Sequence, residues 1–271
     1  MSQSQQPYLL DTRQGKFRVC DQGEPSAPVL MLSNSLGTTL EMWEPQIEAF
    51  TRHYRVIRYD TRGHGGSPVA PGPYTFDGLG EDALAILDAL KIEKASFCGV
   101  SMGGHSALWM GIHAAARFEA LIVCNSAARI GTTEAWKERA DLVRANGKDG
   151  MQTLASTAPG RWFTKGFVER DPQAVQAMQA VIASTDPEGY ASCCDALGSS
   201  DLRPHLGRIT NPTLIIAGEF DPATTVADGQ AMHDAIAGSE LVVLPVSHIS
   251  NVEAAKDYND AVLAFLEKSR R

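Results

Sequence analysis

The sequence predicts an α/β protein with a mostly parallel central sheet, helices on both faces and an inserted helical cap. Three observations predict it. Short apolar runs, often β-branched, alternate with helical patterns through the first half of the chain. That alternation stops between about 129 and 202, and it resumes afterwards.

The strand candidates are FRVCDQG (17–23), VLMLSN (29–34), YRVIRYD (54–60), ASFCGV (95–100) and ALIVCN (120–125). Each is an apolar run ended by polar or glycine residues, and the second reads as fully buried. In LGEDALAILDAL, Leu79, Ala83, Ile86, Leu87 and Leu90 fall on one helical face, as expected of a helix laid on a sheet. From 129 to 202 the segments EAWKERADLVRAN, DPQAVQAMQAVIAS and DPEGYASCCDALG carry helical spacing, punctuated by Asp-Pro and glycine. Then come two more strand candidates, TLIIAGEFD (213–221) and SELVVLP (239–245), and a closing amphipathic helix, VEAAKDYNDAVLAFLEK. The division expected is a core over 1–128, a cap over 129–202 and the rest of the core over 203–271. A cap over the carboxyl ends of the strands would act as a lid, because ligands bind at that edge.

The chain has 271 residues, 44% hydrophobic and 21% charged, which allows a sizeable core and argues against disorder. A net charge of −8 argues against nucleic acid or an anionic membrane as the main partner. MSQSQQPYLL has neither a basic nor a long apolar stretch, so no secretory signal is expected. No run of about 18 apolar residues predicts a membrane span. The five cysteines are odd in number and irregular in spacing. With no signal, that predicts reduced thiols and a cytoplasmic location. The adjacent pair Cys193-Cys194 lacks a second Cys/His pair at ligand spacing, and no H-E-x-x-H occurs, so neither metal nor cofactor is expected. Composition leaves the oligomeric state open.

The chemistry centres on CGVSMGGHSA. After the strand ASFC, glycines stand on both sides of Ser101, in the pattern Gly99-Val100-Ser101-Met102-Gly103. This is a nucleophile elbow, a turn so tight that side chains two positions from the serine would collide. A serine hydroxyl needs a base, and the base needs an orienting acid. Asp221 follows a late strand in IIAGEFDPAT, and His248 lies in the loop after the last strand, in VVLPVSHISNVE. The order Ser, Asp, His and the strand-end placement point to a triad of Ser101, Asp221 and His248. Glu219 is the rival acid if the strand is shorter. Ser250 and Glu253 match an S-x-x-E capping box that would start the final helix. His64 and His105, with His53, His113, His205 and His233, read as structural or solvated. Acyl transfer also needs oxyanion donors. The N–H groups of Met102, behind the elbow, and of Leu36, in Asn34-Ser35-Leu36-Gly37 after the second strand candidate, are the candidates.

The whole chain resembles the α/β-hydrolase superfamily, and its details resemble the 3-oxoadipate enol-lactonases of aromatic-compound degradation. The resemblance is carried by SNSLGTT (33–39), YDTRGHGGS (59–67), GVSMGG (99–104), NSAARIGT (125–132), AGEFDPAT (217–224) and SHISNVE (247–253). It implies an α/β-hydrolase fold, the triad Ser101, Asp221 and His248, and oxyanion donors at Leu36 and Met102. Many superfamily members carry His-Gly where this chain has Asn34-Ser35. The implied activity is cofactor-free hydrolysis of 3-oxoadipate enol-lactone, a small lactone bearing a carboxylate. A carboxylesterase, a C–C hydrolase or a cofactor-free perhydrolase would share the triad, and a slow-turnover ligand receptor could share the scaffold. Arg129, four residues past the strand ALIVCN, is the candidate partner of the substrate carboxylate, with Arg139 and Arg161 as the alternatives. Trp136 and Trp162 are candidates for an apolar wall around the ring.

Overall fold

A computed structural model describes residues 6–270. Eight strands form one sheet: β1 (Tyr8–Thr12), β2 (Gly15–Gln22), β3 (Val29–Ser33), β4 (Arg55–Tyr59), β5 (Ala95–Val100), β6 (Phe118–Cys124), β7 (Thr213–Gly218) and β8 (Glu240–Leu244). Their spatial order is β1-β2-β4-β3-β5-β6-β7-β8. Strands β1, β2 and β4 pair antiparallel, and every pair from β4 to β8 is parallel. β5 and β7 are buried at all six positions, as parallel strands covered on both faces must be. β1 was not among the strand candidates. It is a half-exposed edge strand, so its alternation is weak.

The core helices are α1 (Glu44–Phe50), α2 (Phe76–Ala89), α3 (Met102–His113), α9 (Val226–Ala235), α10 (Ser250–Glu253) and α11 (Ala255–Ser269). α2 begins where the Thr75 side chain accepts the Gly78 N–H, and it buries Leu79, Ala83, Ile86 and Leu87. Between β6 and β7 stand five helices: α4 (Thr133–Thr157), α5 (Pro159–Trp162), α6 (Lys165–Arg170), α7 (Pro172–Ser184) and α8 (Pro187–Ser199). Thr132, Thr164, Asp171 and Asp186 each supply the N-cap side chain of one of them. These helices form a cap over the strand ends, with α4 packed along α8 and α7. α4 breaks at Gly147, whose φ of 54° and ψ of −126° a side chain would strain, so the cap's first helix is two segments.

α3 positions the site. Met102 through Ile112 are all buried against β5, β6 and α2. The helix can start this close to the sheet only because of two glycines. A Cβ on Gly99 would stand 2.1 Å from the Gly103 carbonyl, and a Cβ on Gly103 would stand 2.1 Å from the Ser33 carbonyl oxygen. Neither obstacle is the flexible end of a side chain. Gly103→Ala should therefore destabilise the fold by roughly 3 kcal/mol or more, measured by urea unfolding. A loss below about 1 kcal/mol would show that α3 can shift without cost.

Candidate active site

Ser101 joins β5 to α3 with φ 58° and ψ −113°, a strained conformation for a residue with a side chain. Neighbours over-determine it. Its N–H donates to the Cys124 carbonyl at 2.8 Å, and its own carbonyl accepts from the Ser126 hydroxyl at 2.8 Å. The His105 N–H bonds the same carbonyl at 2.9 Å, as the first turn of α3 closes.

The loop after β3 is held from three sides. Asn34 donates to the Tyr59 carbonyl at 2.8 Å and accepts the Trp43 indole N–H at 2.9 Å. Both ends of the Asn34 amide are thus committed to the core. The Ser35 N–H points at the Met42 sulfur (3.4 Å), and the Gly37 N–H donates to His64 Nε2 at 2.9 Å. Between them the Leu36 N–H has no acceptor among the described residues, and neither has the Met102 N–H at the start of α3. Two free donors, beside a serine at a helix N-terminus, are what an oxyanion requires. His64, read from the sequence as structural, thus braces the loop that carries Leu36. It must carry its proton on Nδ1, which faces the Arg62 carbonyl, so that Nε2 can accept. Its burial holds its pKa below the ordinary value and favours that neutral form.

Asp221 lies three residues beyond the end of β7. Its Oδ2 accepts His248 Nδ1 at 2.7 Å, the Thr224 hydroxyl at 2.7 Å and the Asn125 amide at 3.1 Å. Its Oδ1 accepts the Ala223 and Thr224 N–H groups at 2.8 and 3.1 Å. Burial alone would raise this carboxyl, but the bond and charge of His248, with the Thr224 and Ala223 donors, bring it down to about 2. Glu219 immediately follows the strand, as the shorter-strand alternative required, yet it is exposed. Asn125, Ser126 and Thr224 escaped the sequence reading, although Asn125 and Ser126 open the quoted stretch NSAARIGT and Thr224 closes AGEFDPAT.

With Nδ1 committed to Asp221, Nε2 is the nitrogen left for a reactant. His248 and Ser101 line one cavity of about 200 Å³, together with Leu36. The cap supplies the opposite wall, including Trp136, Trp162, Tyr190, Arg139 and Arg161. Both candidate tryptophans are thus brought to the cavity. Arg129 is not, which corrects the expectation for that residue. Its neighbours Ile130 and Gly131 reach the cavity, while Arg129 lines a separate cleft with Arg203 and stands 3.8 Å from the Asp201 carboxylate. The capping box is corrected too. The Ser250 hydroxyl has no partner among the described residues, and Glu253 accepts from the Ser247 and Thr164 N–H groups instead.

Arg139 and Arg161 are the site's unsatisfied charges. Arg139 stacks over the Trp136 ring at 4.8 Å, and Arg161 donates to the Thr157 hydroxyl at 3.1 Å. Neither has a carboxylate partner among the described residues, although the chain carries an excess of acid. Burial, and then the Arg139 charge, push the Arg161 pKa down.

A parallel sheet with a serine elbow, a late strand-end acid and a histidine after the last strand defines the α/β-hydrolase class. A family model described as alpha/beta hydrolase fold matches residues 28–255. The chain is 50% identical over 246 residues to 3-oxoadipate enol-lactonase 2 of Acinetobacter baylyi, covering 91% of each chain. It is 45% identical over 260 residues to 3-oxoadipate enol-lactonase 1 of the same organism, covering 96% of each. The crystal structure of the enol-lactonase from Burkholderia xenovorans superposes with a TM-score of 0.93 at 44% identity, over 96% of this chain and all of that one. The chain belongs to the α/β-hydrolase family and, within it, to the family of the 3-oxoadipate enol-lactonases. No helix among the described residues is long and apolar enough to cross a membrane.

Asp221→Asn should cut kcat by roughly 10⁴-fold, through the wrong histidine tautomer, while Glu219→Gln stays near wild type. Because the folded-state pKa of Asp221 is depressed, its contribution to stability is fully present above the ordinary carboxyl value of 3.8. It is lost as pH falls toward about 2. In thermal melts, the wild type's advantage over Asp221→Asn should shrink across that window; an advantage that grows toward acid would contradict the assigned pairing.

Proposed function

We propose that this chain hydrolyses 3-oxoadipate enol-lactone by covalent catalysis at Ser101, and that Arg139 and Arg161 bind the substrate's carboxylate. The observation that carries the reading is one cavity with a serine, an acid-oriented histidine and two N–H donors that are free among the described residues, facing two arginines that lack a carboxylate there. A half-buried cation without a counter-charge favours an anionic ligand, and a guanidinium matches a carboxylate in bidentate fashion. The activity for which the two Acinetobacter relatives are named is support of a second kind.

In this reading Ser101 Oγ attacks the lactone carbonyl carbon while His248 Nε2 takes its proton. The oxyanion is bound by the Leu36 and Met102 N–H groups. The ring C–O bond breaks, and the departing enolate oxygen receives the proton back from His248. The enol stays tethered to the acyl chain and tautomerises to the ketone. His248 then takes a proton from water, whose oxygen attacks the ester, and returns it to Ser101 as the diacid is released. Asp221 holds the imidazole by Nδ1 throughout. The apolar faces of Trp136 and Trp162 bound the ring.

The test follows lactone disappearance in the ultraviolet beside hydrolysis of a neutral aryl ester. Ser101→Ala should lose roughly 10⁴- to 10⁶-fold on both while remaining folded. Arg139→Ala or Arg161→Ala should cost about 2–5 kcal/mol in kcat/KM on the lactone and spare the aryl ester. Wild-type protein that turns over aryl ester but not lactone, or arginine variants that lose both substrates equally, would refute the reading.

A further inference from the structure

Glu253 is a buried carboxylate with an unusual set of partners. Its Oε2 accepts the Ser247 N–H at 2.9 Å, so it holds the residue before His248. Its Oε1 accepts the Thr164 N–H at 3.2 Å and the Thr164 hydroxyl as well. Thr164 belongs to the cap, where its hydroxyl also accepts the Phe167 N–H at the start of α6. It lies two residues after Trp162 on the cavity wall.

Two more hydrogen bonds run between the same segments. The Ser247 hydroxyl donates to the Arg161 carbonyl at 3.1 Å, and the Ile249 N–H donates to the Trp162 carbonyl at 3.1 Å. The backbone on both sides of His248 is therefore tied to residues 161–164 of the cap. Those residues include one of the arginines and one of the tryptophans that face the cavity. Glu253 forms no ion pair among the described residues; Arg170 reaches only its backbone carbonyl, at 3.1 Å. Its charge is met by N–H and O–H donors alone, each stronger for being charge-assisted.

We propose that Glu253 is a positioning residue that couples the cap segment Arg161–Thr164 to the imidazole of His248. The proposal rests on His248 acting as the base of the reaction proposed above. His248 must meet Ser101 in acylation and water in deacylation, and both steps need its Nε2 within hydrogen-bond reach. A carboxylate is the only side chain of this size that accepts at both oxygens. A glutamine there would turn an amide NH₂ toward N–H groups that already donate, and one end of the link would open. The consequence for catalysis is mutual: the segment that contacts the substrate and the loop that carries the base move as one body.

Glu253→Gln should lower kcat by about 10- to 100-fold on the enol-lactone and on a neutral aryl ester alike, the scale of an ångström of misplacement. In proton NMR, the downfield signal of the His248 Nδ1–H, hydrogen-bonded to Asp221, should shift or broaden. Thr164→Val, which deletes the hydroxyl from the cap side, should reproduce part of the loss, and Thr164→Ser should restore it. Combined with Glu253→Gln, Thr164→Val should add nothing. The threonine pair carries the test if Glu253→Gln does not fold. A Glu253→Gln protein with kcat within about twofold of wild type overturns the proposal. So does a loss confined to the lactone with an unchanged NMR signal, which would make Glu253 a brace of the cap alone. His248→Ala is the control on the underlying reading: if it leaves aryl ester turnover intact, that reading fails independently of Glu253.

Discussion

The site depends on one crossing of backbones. α3 starts so near β3 that Gly103 has only a hydrogen's room beside the Ser33 carbonyl. That contact lifts Ser101 out of the sheet on a strained turn, and it fixes where the first N–H groups of the helix point. It also sets the spacing of the Leu36 and Met102 N–H groups. Leu36 lies three residues past Ser33 in the loop after β3, and Met102 precedes Gly103 at the start of α3, so both N–H groups flank that contact. The strain at Ser101 persists because three hydrogen bonds, to Cys124, Ser126 and His105, hold its backbone from outside the turn. A looser crossing would relieve the turn and misplace the donors together.

Around this crossing the other loops are arranged by spending their polar groups. In the loop after β3 the N–H groups on either side of Leu36 are occupied, by a methionine sulfur and by His64, and one is left over. At Asp221 five donors converge on two oxygens, which leaves no freedom for the carboxylate to turn away from His248. The free groups are the ones that chemistry would use, and each is free because its neighbours are not. The cap follows the opposite rule. Its surface arginine Arg144 is satisfied by Glu188 and Asp195, while Arg139 and Arg161, on the cavity wall, are left without a carboxylate among the described residues. An acidic protein can attract an anion when its unpaired cations stand in a small cavity and its acids in water.

The sequence was most legible where spacing enforces chemistry. Gly99, Ser101 and Gly103 announce a turn that few other patterns explain, and the late-strand positions of Asp221 and His248 follow from topology once the strands are read. Trp136 and Trp162 both line the cavity, since both lie in the helices that cross the strand ends. Arg129 was misread because position relative to a strand end does not determine the side a chain faces in an irregular link. The nearby Asp201 draws it to another cleft, and Ile130 and Gly131 take the cavity side. The apparent capping box failed for a related reason. Ser250 and Glu253 have the right spacing, but a cap segment distant in sequence offers Glu253 better donors than its own helix does.

The succession of strands from β2 onward, the helical character of the stretch between β6 and β7 and the glycine-flanked turn at Ser101 were legible in the sequence alone. They rest on local periodicity and on steric rules that hold over a few residues. What the tertiary structure decided is which polar groups were left over. His64 became a brace because Gly37 folds beneath it, Asn125 became a partner of Asp221 because β6 and β7 are neighbours, and Glu253 joined the cap to the histidine loop across 89 residues of chain. Hydrogen bonds between distant segments have no periodicity to betray them, since they depend on how the elements pack and not on the order in which they are written.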